Sequence, residues 1–236
     1  MSTYILVPGM WIGAWAWRNV SRALRETGHE VYPLTLTGVA DRSHLIGPEV
    51  DLDTHVEDIV RLAEVEDLRE IVLVGHSYGG LPVSAAALRL RERIKTVVYV
   101  DSGPLPEGTS QLSLSGDDPA RYTGDAVPSR PWDPATDPVL LAGLDETALN
   151  LLRNRSTPHP LASVAQPLGA HATSSDMPTV LVACTFDMDQ IREMTAAGHP
   201  FFAESADARI VALPTGHWPM LSEPKALAAA LSEAAG

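Results

Sequence analysis

The chain has 236 residues, of which 30 are acidic and 17 basic, so its formal net charge at pH 7 is −13. This charge repels polyanions, and we therefore expect no nucleic-acid partner. The single cysteine, Cys184, excludes an internal disulfide and a cysteine-based metal cluster. No apolar run approaches the roughly 20 residues that cross a membrane. Because the first predicted strand begins almost at Met1, we expect no signal peptide. We expect a cytoplasmic protein without a membrane partner.

Short apolar runs alternate with helical patterns along the chain. The runs are continuously apolar rather than alternating, which indicates strands that are buried on both faces of a parallel sheet. Six strands in βαβ order predict an α/β fold with a doubly wound, mostly parallel sheet. The predicted strands are Tyr4–Val7, Val31–Leu34, Ile71–Val74, Thr96–Val100, Thr179–Ala183 and Ile210–Leu213.

Residues 102–170 interrupt the alternation of predicted strands and helices. Ten of the nineteen prolines lie there, and the only clear helical stretch runs from Asp145 to Arg155. A segment of this length between two strands is too long for a structureless loop. We predict a core formed by residues 1–101 and 171–236, and a cap or lid formed by residues 102–170 between two of the strands.

A Gly-x-Ser-x-Gly pentapeptide, Gly75-His76-Ser77-Tyr78-Gly79, directly follows the third strand and precedes a helical stretch. A serine at a sharp strand-to-helix turn presents its hydroxyl above the sheet, and the flanking glycines leave room for the turn. The pattern predicts that Ser77 is a catalytic nucleophile.

A serine nucleophile needs a base and an orienting carboxylate, and in this fold both are expected just beyond strand ends. His217 follows the last strand, and Asp187 follows the strand before it. Asp101, which directly follows the fourth strand, and Asp189 remain alternative acids. We predict a triad of Ser77, His217 and Asp187.

Acyl transfer also needs hydrogen-bond donors for the oxyanion. One is expected to be the backbone N–H of Tyr78, the residue after the nucleophile, and the second that of Met10, in the loop after the first strand. Trp11 and Trp218 are predicted to line the substrate pocket.

The order Ser77, Asp187, His217 is that of α/β-hydrolases. Together with Cys184-Thr185-Phe186-Asp187 and Gly216-His217-Trp218-Pro219, the elbow motif makes the chain similar to a group of small esterases in this superfamily. The group includes plant methylesterases, such as the salicylate-binding esterases, and hydroxynitrile lyases. The chain departs from the group at Pro8, where a histidine usually begins the oxyanion loop.

The resemblance and the motifs together predict a serine hydrolase that cleaves a small ester through an acyl-enzyme, without a cofactor or metal. One alternative is a lyase such as hydroxynitrile lyase, although those enzymes carry a threonine at the position of Gly9 and a lysine at that of Trp218. The other is a catalytically silent ligand-binding protein. The acyl and alcohol groups of the substrate are not predicted, and formation of a homodimer stays open.

Overall fold

A parallel sheet forms the centre of the computed structural model, which describes residues 1–169, 177–199, 205 and 207–236. Six strands form this sheet in the order β2-β1-β3-β4-β7-β8, and each neighbouring pair is parallel. The doubly wound parallel sheet predicted from the sequence is thereby confirmed. The strands are β1 (Thr3–Val7), β2 (Glu30–Pro33), β3 (Ile71–His76), β4 (Ile94–Val100), β5 (Ala126–Val127), β6 (His159–Pro160), β7 (Thr179–Ala183) and β8 (Arg209–Ala212).

Helices cover both faces of the sheet. None of them, within the described part of the chain, combines the length and apolarity that crossing a membrane requires. The helices are α1 (Arg18–Glu26), α2 (Leu52–Val65), α3 (Gly80–Arg89), α4 (Gln111–Ser115), α5 (Glu146–Arg155), α6 (Leu161–Ala165), α7 (Met188–Ala196), α8 (Pro219–Ser222) and α9 (Pro224–Ala234).

Alternate residues of the central strands enter two hydrophobic cores, one on each face. On β3, Leu73 belongs to the core that includes α2 and α3, whereas Val72 and Val74 belong to the core that includes α1 and α9. All three side chains are fully buried. Burial on both faces explains why the strand sequences are continuously apolar.

The register of the sheet brings the ends of its strands together. Val7 at the end of β1 pairs with Gly75, and His76 at the end of β3 pairs with Val100 at the end of β4. Because these strands are parallel, the residues that follow them emerge at one edge of the sheet. The loop after β1, Ser77 and Asp101 are therefore neighbours.

The segment from residue 102 onwards contains α4, the antiparallel pair β5 and β6, α5 and α6. It is joined to the core by backbone and side-chain contacts: Gln166 Oε1 accepts from the N–H of Leu52 at 2.8 Å, and Thr157 Oγ1 accepts from the N–H of Ala40 at 2.7 Å. We call residues 102–169 the inserted segment. The predicted boundary between residues 170 and 171 lies outside the described residues, and the division into core and cap stays a prediction.

Candidate active site

Ser77 lies at the sharp turn between β3 and α3, and its φ of +52° is in the left-handed region. Such a backbone costs about 1–3 kcal/mol and persists only where the surroundings impose it. A Cβ on Gly75 would lie 2.8 Å from the carbonyl oxygen of Gly79, and one on Gly79 would lie 2.7 Å from that of Pro8. The Ser102 hydroxyl also donates to the Ser77 carbonyl at 2.8 Å. Glycines and this hydrogen bond thus hold in shape the turn that carries Ser77, the candidate nucleophile.

His217 is held by Asp101, which directly follows β4. His217 Nδ1 lies 2.5 Å from Asp101 Oδ2, and the carboxylate is only 6% exposed. Asp101 Oδ1 accepts from the backbone N–H and from the hydroxyl of Thr185, both at 2.9 Å. Burial alone would raise the pKa of Asp101, but the hydrogen bonds from His217 and Thr185 outweigh it and hold this pKa below its usual value. Asp101 is therefore a carboxylate that fixes the orientation of the imidazole.

The prediction that Asp187 is the partner of His217 is wrong in this structure. Asp187 is the N-cap of α7, where Oδ1 accepts from the N–H of Asp189 at 3.0 Å and from that of Gln190 at 2.8 Å. Asp189, the other alternative, forms an exposed ion pair with Arg192. An aspartate that caps a helix on the surface is not available to hold a histidine above the sheet edge. Of the three acids considered, the structure brings only Asp101 to His217.

The loop after β1 lies against the nucleophile turn. A Cβ on Gly9 would lie 2.9 Å from His76 Nδ1 and 3.0 Å from Ser77 Cβ, so only glycine fits here without a shift. Met10 lines the same cavity as Ser77, and its N–H donates to no acceptor among the described residues. A free N–H beside the nucleophile is what an oxyanion donor requires. The arrangement agrees with the predicted role of Met10 despite the substitution at Pro8.

Trp11 is held in place by the inserted segment. Its φ is +67°, an uncommon value for a bulky residue, and two hydrogen bonds fix it. The N–H of Trp11 donates to Nδ1 of the fully buried His159 at 3.3 Å, and its carbonyl accepts from the N–H of Thr157 at 3.0 Å. Because Trp11 adjoins Met10, His159 positions the loop that carries the candidate oxyanion donor.

The side chain of Tyr78 is anchored by two buried histidines, His55 and His159. His55 Nε2 lies 2.8 Å from the Thr37 carbonyl, which only accepts, so Nε2 carries the proton. His55 Nδ1 then accepts from the Tyr78 hydroxyl at 2.7 Å. Burial lowers the pKa of His55 and raises that of Tyr78, which keeps both groups neutral. The ring of His159 packs edge-on against Tyr78, with centroids 4.6 Å apart. The Tyr78 ring and the backbone of Trp11, the neighbour of Met10, thus both contact the buried His159.

His76, the variable residue of the elbow motif, supports His217 from below. Its Nε2 donates to the carbonyl of His217 at 2.6 Å. Burial, together with the charge that His217 can carry, lowers the pKa of His76 to about 3, so its ring is neutral. No sequence pattern indicates this contact, because the two residues are 141 positions apart.

A cavity of about 220 Å³ opens above these groups. Ser77, His217 and Met10 line it, and so do Trp11 and Trp218, whose role in binding the substrate stays a prediction. The inserted segment supplies further wall residues, none of which was predicted as a site residue, and Arg130 is one of them. Among the described residues, no three His, Cys, Asp or Glu side chains are grouped so that they could hold a metal ion.

Known proteins resemble this chain in sequence and in fold. The model of the alpha/beta hydrolase family matches residues 4–230. A carbendazim hydrolyzing esterase of Nocardioides sp. is 41% identical over 114 residues, which cover 48% of this chain and 47% of that protein. Methylesterase 8 of Arabidopsis thaliana is 32% identical over 100 residues, or 42% of this chain and 37% of that protein. The matches thus span less than half of these relatives.

Two solved structures share the fold over nearly the whole chain. An extracellular alpha/beta-hydrolase from a Paenibacillus species, described as sharing structural and functional homology with tobacco salicylic acid binding protein 2, superposes with a TM-score of 0.81. It is 20% identical, and the match covers 99% of each chain. A methylesterase from Arabidopsis gives a TM-score of 0.74 at 20% identity, with 99% of this chain and 98% of that chain covered. At this identity the likeness shows the fold.

Proposed function

Because this chain belongs to the alpha/beta hydrolase family, we propose that it is a serine hydrolase that cleaves a small carboxylic ester through Ser77, His217 and Asp101. The observation that carries the proposal is the 2.5 Å hydrogen bond between Asp101 and His217, in a cavity that Ser77 also lines. The esterases among the curated relatives support ester hydrolysis.

In the proposed mechanism each group has one role. Ser77 Oγ attacks the ester carbonyl while His217 Nε2 takes its proton, and Nδ1–H of the same ring donates to Asp101 throughout. The N–H groups of Met10 and Tyr78 stabilise the oxyanion of the tetrahedral intermediate, at roughly 3 kcal/mol per donor. His217 then protonates the leaving alcohol and afterwards activates the water that releases the acid.

Labelling with a fluorophosphonate tests the proposal directly. We expect the probe to label wild-type protein at Ser77 alone, and the protein to release acid from activated short-chain esters. Ser77→Ala should lose both reactions and keep its circular dichroism spectrum, because this hydroxyl contributes little to packing. Undiminished ester hydrolysis by the folded alanine variant would show that another group is the nucleophile.

The lyase alternative is distinguished by its product. The hydroxynitrile lyases that this chain resembles carry a lysine at the position of Trp218. In this chain the inserted segment supplies a different cation, because Arg130 lines the cavity. Asp137 pairs with that guanidinium at 2.6 Å and offsets its charge, which favours hydrolysis. We expect no cyanide release from mandelonitrile or acetone cyanohydrin above background. Rapid release with negligible ester turnover would establish the lyase, and absence of both reactions and of labelling would indicate a binding protein.

A further inference from the structure

The cation in the cavity wall is placed by an aromatic cluster. The ring of Trp218 packs edge-on to His217, with centroids 4.8 Å apart, and Trp132 packs edge-on to Trp218 at 5.1 Å. Trp132 in turn packs against Trp11 at 5.9 Å, and the guanidinium carbon of Arg130 lies 5.9 Å from the Trp11 ring. This continuous packing fixes Arg130 relative to the catalytic histidine.

Arg130 is the one lysine or arginine that lines this cavity within the described part of the chain. Its Nη2 donates to Asp137 Oδ1 at 2.6 Å, and 31% of the side chain stays exposed. A guanidinium has five N–H donors, and the described contact with Asp137 involves one nitrogen. Donors therefore remain for a molecule in the cavity.

The charge balance decides which acceptor suits these donors. Asp137 already compensates the charge of Arg130, so a second carboxylate would gain little attraction and would still lose its hydration. A neutral acceptor, such as a ketone or amide oxygen, loses less hydration and gains a charge-assisted hydrogen bond. A volume of about 220 Å³ corresponds to about seven water-sized groups, so the part of the substrate that the cavity encloses is short.

Resting on the proposed hydrolase function, we propose that Arg130 determines specificity, and that the substrate is a short-chain ester carrying a neutral hydrogen-bond acceptor that binds Arg130. Asp137 sets the preference for a neutral over an anionic group. The inserted segment, which supplies both residues, thereby selects the substrate.

Matched methyl esters test the proposal by pH-stat hydrolysis. For acids of five to seven carbons, each plain ester is compared with its ω-1 keto ester and its ω-carboxylate half-ester. A hydrogen bond to a charged donor strengthens binding about 10- to 100-fold. At one chain length, kcat/KM for the keto ester should therefore exceed kcat/KM for the plain ester at least 10-fold. The half-ester should be the poorest substrate.

Variants then assign the preference. Arg130→Met should reduce the ratio of kcat/KM for the keto ester to kcat/KM for the plain ester to about one. Arg121→Met is the control: it removes an exposed arginine of the inserted segment that pairs with Asp117, and it should leave this ratio unchanged. Asp137→Asn keeps a hydrogen-bond acceptor but removes the charge, and should raise kcat/KM for the half-ester relative to the keto ester. Equal losses on keto and plain esters in Arg130→Met would show that Arg130 only braces the segment. A half-ester preference in the wild type would likewise overturn the proposal. Failure of the proposed function is distinct, because no ester of any series would then be cleaved and Ser77 would not be labelled.

Discussion

Replacing Asp101 with asparagine tests the candidate triad most sharply, because the contacts of Asp101 predict how the amide would orient. The Thr185 hydroxyl lies 2.9 Å from both carboxylate oxygens of Asp101, but the Thr185 backbone N–H donates to Oδ1 alone, so the amide oxygen of an asparagine would take that position. Its NH₂ group would then face His217 Nδ1, which would have to accept. The imidazole would carry its proton on Nε2, and could not take the proton of Ser77.

The magnitude follows from the loss of the base. In a protease with the same triad logic, this substitution lowers kcat about 10⁴-fold, or about 5.4 kcal/mol of transition-state stabilisation. We expect a loss of this order, with a fluorophosphonate labelling rate that falls in parallel and an unchanged circular dichroism spectrum. Steady-state hydrolysis of an activated ester measures it, provided that the assay detects about 10⁻⁴ of wild-type turnover.

Asp187 supplies the matched control. Because asparagine caps helices as well as aspartate does, Asp187→Asn should leave both kcat and stability unchanged. Asp187→Ala should cost about 1 kcal/mol of unfolding free energy, again without loss of kcat. A crippled Asp187→Asn enzyme beside an active Asp101→Asn enzyme would refute the assignment.

Three further predictions concern the groups around the triad. His159→Leu removes the acceptor for the Trp11 N–H and should lower kcat about 10-fold, with a smaller change in KM. His159→Asn keeps an acceptor near the position of Nδ1 and should restore most of the lost kcat. Equal losses of kcat in the two variants would contradict a positioning role. Gly9→Ala should lower kcat at least 10-fold in a folded protein, because its Cβ must push the oxyanion loop away from His76 and Ser77, and wild-type kcat would show that the loop tolerates the shift. Buried His76, with a pKa of about 3 against about 6.5 in the unfolded chain, binds no proton at pH 5 while the unfolded state does. The contribution of His76 to the free energy of unfolding is therefore fully present above pH 6.5 and decreases as the pH is lowered, by about 2 kcal/mol between pH 7 and pH 5. Urea unfolding at the two pH values measures this difference, and equal stabilities would contradict it.

The sheet and the strand-to-helix turn at Ser77 could be predicted because their signals are local. Each strand is a continuous apolar run, and the elbow motif lies between one such run and a helix. These patterns depend on burial and turn geometry over fewer than ten residues. The structure accordingly has six sheet strands at the predicted positions and Ser77 at a left-handed turn.

The choice of acid failed because two aspartates follow adjacent strands. Asp101 follows β4 and Asp187 follows β7, and those strands are neighbours in the sheet, so position after a strand does not distinguish them. A local signal was nevertheless present. Gln190 stands three residues after Asp187 and completes a capping box, which marks Asp187 as the start of a helix. No such pattern follows Asp101.

Contacts made by the inserted segment could not be predicted, because they join residues far apart in the chain. Trp11 and His159 are 148 positions apart. A proline-rich segment has no periodic pattern from which its contacts with the rest of the chain could be predicted. The same limit applies to Arg130, whose place in the cavity depends on packing between three tryptophans.

The inserted segment therefore does more than cover the cavity. Its Leu140 carbonyl accepts from the N–H of His217 at 2.8 Å, and its residues Thr157 and His159 hold the backbone of Trp11. The proposed catalytic base and the loop that carries the proposed oxyanion donor are thus both held by the segment that supplies Arg130. Changes of substrate selectivity in this segment are consequently coupled to catalytic geometry: substitutions at side chains such as Arg130 can alter selectivity alone, whereas exchanging the whole segment would also remove the contacts that position His217 and Met10.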